Sequence, residues 1–367
     1  MTAFDLCKVD RPRILAKAER YLNEAPRTVT SDSCDKSAGG PHDFFSQGDY
    51  WWPDPQNPGG PYISCDGETN PENFIEHRKS MIRFADIIGT LASAYLLTGN
   101  DMYASQAVAH LTAWFIDEST KMNPHLLYGQ MVVGRCSGRS IGIIDTIHLA
   151  EVARGAKLLS ASPAFSPDDQ VGVKAWFRQY LTWINTHEYG ITEKHHPNNH
   201  GVCWSLQAAA FADYLDEHDR LAWIRDQFKS VYIGVMMAGD GSLSKELART
   251  KPYGYSLFTI DAMAAVAQIA STPEDDLWRF ELPDGRGMRR GLEFIYPYIV
   301  DKEKWPWARD IMYWDDWPAR QISLLLAGLA FDKPDYLETW QALAADPPAL
   351  EIKRNLPLRH PLLWVKQ

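Results

Sequence analysis

Tyr95-Leu-Leu-Thr-Gly-Asn-Asp-Met-Tyr103 is a short polar stretch that separates two apolar segments. Before it, apolar residues recur at intervals of three, four or seven positions, which places them on one face of an α-helix. The stretch therefore predicts a helix, a tight turn and a second helix. Such a hairpin cannot bury its apolar face alone and must pack against neighbouring hairpins. The apolar residues before the turn are Phe74, Met81, Phe84, Ile88, Leu91 and Tyr95.

The same arrangement recurs at Tyr214-Leu-Asp-Glu-His-Asp-Arg-Leu221 and at Leu329-Ala-Phe-Asp-Lys-Pro-Asp-Tyr336. Alternation of β-branched and polar residues is nearly absent, so no substantial sheet is expected. The sequence predicts an all-α fold of stacked helical hairpins, with an irregular bundle as the alternative. Further helical stripes are Val173, Trp176, Phe177, Tyr180, Leu181 and Ile184; Leu221, Ile224, Phe228, Val231 and Val235; and Met288, Leu292, Ile295 and Ile299.

The composition of the 367-residue chain is that of a globular protein, with 45% hydrophobic and 23% charged residues. We expect a single domain over residues 1–367, and a monomer. No apolar run reaches the roughly 18 residues of a membrane span, so no membrane partner is expected. The N-terminal residues lack a basic region followed by an apolar one. The expected location is therefore the cytoplasm, or the periplasm or exterior after removal of a signal.

The charge and the cysteines exclude several kinds of site. A net charge of −10 argues against nucleic acid as a partner. Five scattered cysteines without a C-x-x-C pair predict buried thiols rather than disulfides or a zinc knuckle. Adjacent His195 and His196 point in different directions, and no third ligand stands at a helical interval. Neither a metal nor an organic cofactor is expected.

Two long segments interrupt the helical pattern. Residues 26–71 are rich in Pro, Gly, Ser and Asp but also in aromatics, which argues against disorder. We expect this segment to be a mobile lid over a groove, with Tyr50, Trp51 or Trp52 contacting sugar rings. A plug at one end of the core is the alternative for the two tryptophans. In residues 117–142, Gln130, Arg135 and Arg139 offer donors for carboxylates.

The most informative residues for chemistry are Pro197-Asn198-Asn199-His200-Gly201, together with Arg249 and Tyr255. An amide and a guanidinium can neutralise a carboxylate, which makes the proton on the adjacent carbon more acidic. An imidazole and a phenol can then take that proton and protonate a departing oxygen. A phenol near a guanidinium has its pKa of about 10 drawn toward neutrality. This set points to a lyase acting on uronic acid polymers.

Each of these residues also has a structural alternative. One of Asn198 and Asn199 is explained as a helix N-cap, and a single histidine at a helix start is often structural. A glycoside hydrolase would instead use two carboxylates. A polyuronate-binding protein without activity is a third possibility. The carboxylates open to a hydrolase are Asp240, Glu246, Asp315 and Asp316.

Several motifs resemble the alginate-lyase superfamily. They are Phe44-Phe45-Ser46-Gln47-Gly48-Asp49-Tyr50-Trp51-Trp52-Pro53-Asp54-Pro55, Pro61-Tyr62, Asp66-Gly67-Glu68-Thr69-Asn70-Pro71, Asn198-Asn199-His200 and Glu246-Leu247-Ala248-Arg249-Thr250 to Tyr255. The resemblance implies an incomplete (α/α) toroid with a deep groove. It also implies elimination from an acidic polysaccharide without a metal, with Asn199, His200, Arg249 and Tyr255 at the catalytic positions.

The spacing of the tyrosine separates two branches of that superfamily. In polysaccharide lyase family 5 the tyrosine follows the arginine by seven positions, whereas Tyr255 follows Arg249 by six and Tyr253 by four. The chain is more similar to polysaccharide lyase family 38, whose members act on alginate or β-1,4-glucuronan. This similarity slightly favours glucuronan as the substrate. Of the two tyrosines, Tyr255 is favoured, because Tyr255 begins a stretch that leads into a helix, as the family tyrosine does.

An acidic exterior repels an acidic polymer, so cations must line the site locally. Two short stretches supply them: Lys194, His195, His196, His200, Lys245, Arg249 and Lys251. The complete set of expected substrate-binding residues is Tyr50, Trp51, Trp52, Gln130, Arg135, Arg139, His196, Asn198, Lys251 and Tyr253.

Overall fold

The computed structural model describes residues 4–365, which form two compact units, residues 4–194 and residues 195–365. The expected single domain over residues 1–367 stays a prediction, and its outermost residues lie outside the described part. In unit 1 the described helices are α1 (Leu6–Tyr21), α2 (Glu76–Thr98), α3 (Asp101–Phe115), α4 (Leu149–Leu159), α5 (Pro167–Thr186) and α6 (Glu188–Lys194).

The first predicted hairpin is formed by α2 and α3. Gly99 ends α2 with a φ of 66°, a conformation that glycine adopts without steric cost. The side chain of Asn100 then accepts a hydrogen bond from the Met102 N–H at 3.0 Å and caps α3. The polar turn predicted at Tyr95–Tyr103 is therefore confirmed.

Large aromatic side chains fill the core of unit 1. Phe84 on α2 stacks on Trp114 of α3 with ring centroids 4.7 Å apart, and Phe115 meets Trp176 of α5 at 4.4 Å. By length and composition α2 could cross a membrane, but 72% of its most apolar window is buried inside the unit. A mostly buried core helix can be as long and as apolar as a membrane-spanning helix, so these two properties alone are weak evidence for a membrane span.

The segment 26–71 is less irregular than the sequence suggests. Its strand β1 (Phe45–Gln47) pairs in parallel with β4 (Tyr128–Met131), and β2 (Trp51–Trp52) pairs antiparallel with β3 (Ile63–Ser64). Buried ion pairs hold its base, where the Arg78 guanidinium contacts Asp49 at 2.5 Å and Asp145 at 2.9 Å. The mobility of this lid stays a prediction.

Unit 2 contains the other two predicted hairpins. The first joins α7 to α8, with Asp216 ending α7 at a φ of 60°, and the second joins α12 to α13. The helix α10 is buried along almost its whole length. The described helices of unit 2 are α7 (Asn199–Leu215), α8 (His218–Gln227), α9 (Ser244–Leu247), α10 (Pro252–Ala270), α11 (Met288–Val300), α12 (Ile322–Ala330), α13 (Pro334–Ala342) and α14 (Leu350–Arg354).

Two sequence expectations are corrected by the structure. The stripe that ends at Val235 does not continue one α-helix, because the chain changes to a π-helical turn over Phe228–Met236 after α8. The wider π-helical turn shifts the stripe, and Val235 is 77% exposed. Among the five free thiols, Cys203 is buried as expected, whereas the other four are half-buried.

Candidate active site

The two asparagines at the start of α7 have different roles. Asn198 is the N-cap, because its side-chain oxygen accepts the N–H of His200 at 3.1 Å. Asn199 is buried and donates twice to Glu246, from its main-chain N at 2.8 Å and from its amide Nδ2 at 2.7 Å. A Cβ atom on Gly201 would lie 2.4 Å from the carbonyl oxygen of His196, so glycine permits this close approach.

Glu246 connects the asparagine motif to the arginine motif. It lies on the short helix α9 and is fully buried. Burial raises the pKa of its carboxyl, while the hydrogen bonds from Asn199 and the charges of Arg249 and His200 lower it. Three side chains from two separate sequence motifs, those of Asn199, His200 and Arg249, therefore act on one buried carboxyl.

Arg249 and Tyr255 form the second half of the site. The Nη2 of Arg249 donates to the Tyr255 hydroxyl at 3.2 Å, and its Cζ lies 4.2 Å from the centroid of the same ring. Tyr255 occupies the first turn of α10 and is 8% exposed, while Arg249 is half-buried. The structure thus brings a guanidinium into contact with both the oxygen and the ring of the phenol.

Two histidine side chains lie next to each other at the start of α7. The rings of His196 and His200 lie 5.0 Å apart, and both residues are half-buried. His195 is exposed. Among residues 4–365, no group of three or more His, Cys, Asp and Glu side chains is placed to hold a metal ion.

Tyr253 and Lys251 are less accessible than expected for substrate-binding residues. The Tyr253 hydroxyl donates to the carbonyl oxygen of Tyr298 at 3.0 Å, and burial raises the pKa of this phenol. The Lys251 ammonium forms an ion pair with Glu351 at 2.5 Å and the residue is 4% exposed. Their contacts with substrate stay predictions, but the structure places both side chains in the interior of unit 2.

In unit 1, three of the predicted substrate-binding residues lie around Trp51. The guanidinium carbons of Arg135 and Arg139 are 5.2 Å and 5.4 Å from the Trp51 ring centroid. Arg139 donates to the Gln130 side-chain oxygen at 2.9 Å, and Gln130 donates in turn to Asp145 at 3.0 Å. These contacts make an aromatic and cationic cluster, which consists of Trp51, Gln130, Arg135 and Arg139.

The neighbouring aromatics of the lid segment are only partly covered. Tyr50, Trp51 and Trp52 are each half-buried, so none of them is a fully buried core residue. The indole N–H of Trp52 donates to the carbonyl oxygen of Glu68 at 3.0 Å. Their exposed faces are compatible with sugar contact, which stays a prediction.

Three acidic residues support the site in ways that the sequence does not predict. Glu246 belongs to the Glu246 to Tyr255 motif and is a candidate hydrolase carboxylate, but its hydrogen bonds to Asn199 are not predicted. Asp310 accepts the N–H groups of Tyr253 and Gly254, both at 2.9 Å. Neither Asp310 nor Glu351 carries a local sequence signal that links it to Tyr255.

Comparison with known proteins shows which family the chain resembles. The family model described as alginate lyase matches residues 28–305. An alginate lyase from Bacteroides ovatus is 32% identical, with a TM-score of 0.84 over 98% of this chain and 94% of that chain. Alginate lyase A1-III from Sphingomonas species A1 is 15% identical, with a TM-score of 0.55 over 96% and 95% of the two chains. No curated protein matches the sequence.

These matches define the chain as a polysaccharide lyase whose all-α fold is the (α/α) toroid. The chain belongs to the alginate lyase family. The superfamily, the fold class and the enzyme class expected from the sequence are thereby confirmed. The closer similarity to polysaccharide lyase family 38 stays a prediction.

Proposed function

We propose that the chain cleaves a β-1,4-linked polyuronate by β-elimination, with Asn199 and Arg249 binding the uronate carboxylate. Tyr255 transfers protons, alone or with His200. The products are chains with a 4,5-unsaturated sugar at each new non-reducing end. The single observation that carries this proposal is the 3.2 Å hydrogen bond between Arg249 and the Tyr255 hydroxyl.

The contact between Arg249 and Tyr255 suits both steps of an elimination. A positive charge next to a phenol favours its phenolate, which is the form able to take a proton. The same guanidinium carries five N–H donors, so it can bind Tyr255 and a substrate carboxylate together. By contrast, the Tyr253 hydroxyl already donates to Tyr298. The geometry supports Tyr255 as the acid–base residue.

The contact between Asn199 and Glu246 supports the role of the amide. One N–H of the Asn199 side chain donates to Glu246 at 2.7 Å, and a primary amide carries two such donors. The second N–H is then available for the substrate carboxylate. Because Glu246 also accepts the main-chain N–H of Asn199, the amide is oriented before substrate arrives.

The proton balance of the proposed reaction is simple. The C5–H bond breaks and the proton moves to the Tyr255 phenolate. The electron pair forms the C4–C5 double bond as the C4–O4 bond breaks, and Tyr255 returns the proton to O4. If the C5 proton lies on the opposite face of the sugar, His200 takes it and Tyr255 supplies a different proton to O4.

The identity of the uronate is proposed from similarity and from charge. The relative that is 32% identical is an alginate lyase, which favours alginate as one substrate. Glucuronan remains the second candidate, from the similarity to polysaccharide lyase family 38. Arg135, Arg139 and Trp51 in unit 1 offer cations and an aromatic face that suit an acidic sugar.

One substrate panel tests the proposal. The protein is incubated with alginate, glucuronan, pectate and hyaluronan, before and after exhaustive chelation, while ultraviolet absorbance and chain length are followed. New absorbance with falling chain length on alginate or glucuronan, unchanged by chelation, is expected. Falling chain length without absorbance would indicate a hydrolase, and binding without shortening would indicate a non-catalytic protein. Loss of activity on chelation, restored by calcium or zinc, would refute a metal-independent reaction.

A further inference from the structure

A buried ion pair lies directly behind the proposed acid–base residue. Lys251 immediately precedes α10, and its carbonyl oxygen accepts the N–H of Tyr255 at 3.1 Å. Its side chain turns into unit 2, where the ammonium meets Glu351 of α14 at 2.5 Å. Both side chains are 5% exposed. The ammonium is therefore withdrawn from solvent rather than presented to a polymer.

The same ammonium faces the ring of Tyr255. Its nitrogen lies 5.6 Å from the Tyr255 ring centroid and 5.4 Å from that of Tyr313. Lys251, Tyr255 and Glu351 line one cavity of about 10 Å³, which has room for about one water molecule. With so little water between them, these charges interact more strongly than they would at the surface.

The two cations near Tyr255 differ in what substrate does to them. Arg249 is half-buried, and under the proposed function its charge is neutralised when the uronate carboxylate binds. Lys251 stays paired with Glu351 throughout, because neither group is open to solvent. A positive charge near the phenol therefore persists at the moment when the phenolate has to act.

We propose that Lys251 and Glu351 are positioning residues of the elimination: the Lys251 ammonium stabilises the Tyr255 phenolate from inside the protein, and Glu351 limits that effect. This inference rests on the proposed function of Tyr255. It gives Lys251 an electrostatic role in place of the expected contact with substrate. It also makes α14 a functional part of the site.

The other charged groups around Tyr255 are included in this inference. Asp310, which lines the same cavity, opposes Lys251 when it is ionised. Arg249 contacts the hydroxyl, and His200 lies on α7, the helix packed against α10. Arg354 of α14 also pairs with Glu351, at 3.2 Å. Burial raises the pKa of Asp310, and the charge of Lys251 opposes that rise. Arg354 and Asp310 stay in place in both variants, which remove opposite charges of one pair and should therefore shift the pH profile in opposite directions.

The test compares pH profiles of kcat/KM for Lys251→Met and Glu351→Gln. Removing the cation makes the phenolate less favourable, so Lys251→Met is expected to move the limb controlled by Tyr255 to higher pH by about one unit. Removing the anion is expected to move it to lower pH in Glu351→Gln. KM changes by less than about twofold in both variants, because neither side chain touches substrate.

Matched variants distinguish this electrostatic effect from lost stability. Lys17 and Asp86 form a comparable buried ion pair at 2.8 Å in unit 1, and Lys17→Met should lower Tm without moving the pH profile. If Lys251→Met does not fold, Lys251→Arg is used instead. It keeps the positive charge, so the limb of its pH profile controlled by Tyr255 should lie at the same pH as in the wild type.

Several outcomes would overturn the inference. Shifts in the same direction for Lys251→Met and Glu351→Gln, or no shift in either, mean that the pair is only structural. If Lys251→Met does not fold, two other results also mean that the pair is only structural. One is a Lys251→Arg variant whose Tyr255-controlled limb of the pH profile is shifted. The other is a Glu351→Gln variant whose limb does not move to lower pH. A large rise in KM for Lys251→Met means that Lys251 binds substrate directly. Tyr255→Phe, measured in parallel, separates the two proposals: if it stays active, the proposed function fails, and if it is inactive while the limbs do not move, only this inference fails.

Discussion

At the scale of single residues, Tyr253 and Tyr255 lie two positions apart on α10 but have different surroundings. Tyr255 accepts a hydrogen bond from Arg249, whereas the Tyr253 hydroxyl donates to the carbonyl of Tyr298. A phenol that contacts a guanidinium is suited to proton transfer, and a phenol bound to a main-chain carbonyl is suited to holding two segments together. The two tyrosines are therefore expected to respond differently to the loss of their oxygen.

The first prediction concerns these oxygens. Tyr255→Phe should lower kcat by about 10²- to 10⁴-fold, because one positioned acid–base group is lost. Tyr253→Phe should retain most activity but lose about 1 kcal/mol of stability, since one hydrogen bond is removed. Steady-state kinetics and thermal melts of both variants check this. Near-normal turnover in Tyr255→Phe with an inactive Tyr253→Phe would assign the role to the other tyrosine.

The second prediction concerns Glu246, which accepts both hydrogen bonds from Asn199. Glu246→Gln replaces one acceptor oxygen by an N–H donor, which faces a donor of Asn199. The amide of Asn199 should then turn away, and kcat should fall by about 10²- to 10³-fold, the effect of losing one preorganised hydrogen-bond donor that stabilises developing charge. The exposed Glu281→Gln serves as a control. Unchanged kcat in Glu246→Gln would show that Asn199 needs no such support.

At the scale of secondary-structure elements, hydrogen bonds to buried carboxyls hold α10 at its first turn and near its middle. Asp310 accepts N–H groups of its first turn, and a Cβ on Gly254 would lie 2.9 Å from that carboxyl and 2.7 Å from the Trp317 indole nitrogen. Further along, Asp261 accepts the N–H of Ser323 at 3.0 Å, at the start of α12. These contacts set the position of the helix that carries Tyr255.

Asp261 carries a prediction about pH and stability. Burial raises its pKa from 3.8 to about 7. The folded state therefore holds a proton that the unfolded chain releases, so stability falls as pH rises from about 4 to about 7. Asp261→Asn keeps the acceptor for Ser323 and removes the charge. Its advantage over the wild type should grow across this range, up to about 4 kcal/mol at 1.36 kcal/mol per pKa unit.

Denaturant unfolding at several pH values measures this difference, with the exposed Asp315→Asn as a control. The two curves for wild type and Asp261→Asn should approach each other near pH 4. A difference that stays constant with pH would mean that Asp261 does not titrate in this range.

The β2–β3 hairpin of the lid segment carries the next prediction. Trp51 lies against Arg135 and Arg139, and such cation–π contacts contribute about 0.5–2 kcal/mol. If this face also binds sugar, Trp51→Ala should raise KM by about 3- to 30-fold while Tm changes little. Trp52→Ala, measured in parallel, shows which indole matters. Unfolding of both variants without a selective effect on KM would make the tryptophans a plug of the core.

At the scale of the whole molecule, the expected single domain predicts one cooperative unfolding transition. The connection between α6 and α7 is four residues long, His195 to Asn198. Calorimetry and limited proteolysis provide the measurement. Two separate transitions, or two stable fragments with a cut near residue 195, would show that the two compact units fold independently.

The fold could be predicted from the sequence because helical hairpins are local. The spacing before Tyr95 and the capping ability of Asn198 are visible within a few residues of sequence. Long-range pairs are different: Asn199 and Glu246 are 47 positions apart, and Lys251 and Glu351 are 100 apart. No local pattern records such a pairing, so the support around the proposed catalytic residues required the structure.

The ion pair between Lys251 and Glu351 has a practical consequence for anyone producing this enzyme. Similarity to the family model ends at residue 305, and a gene trimmed to that boundary would still encode Asn199, Arg249 and Tyr255. It would lack Asp310, whose carboxyl accepts a hydrogen bond from the first turn of α10, and Glu351, whose carboxylate pairs with Lys251. A recombinant protein shortened in this way should be purified and assayed only beside the full-length chain, since an inactive fragment would say nothing about the reaction.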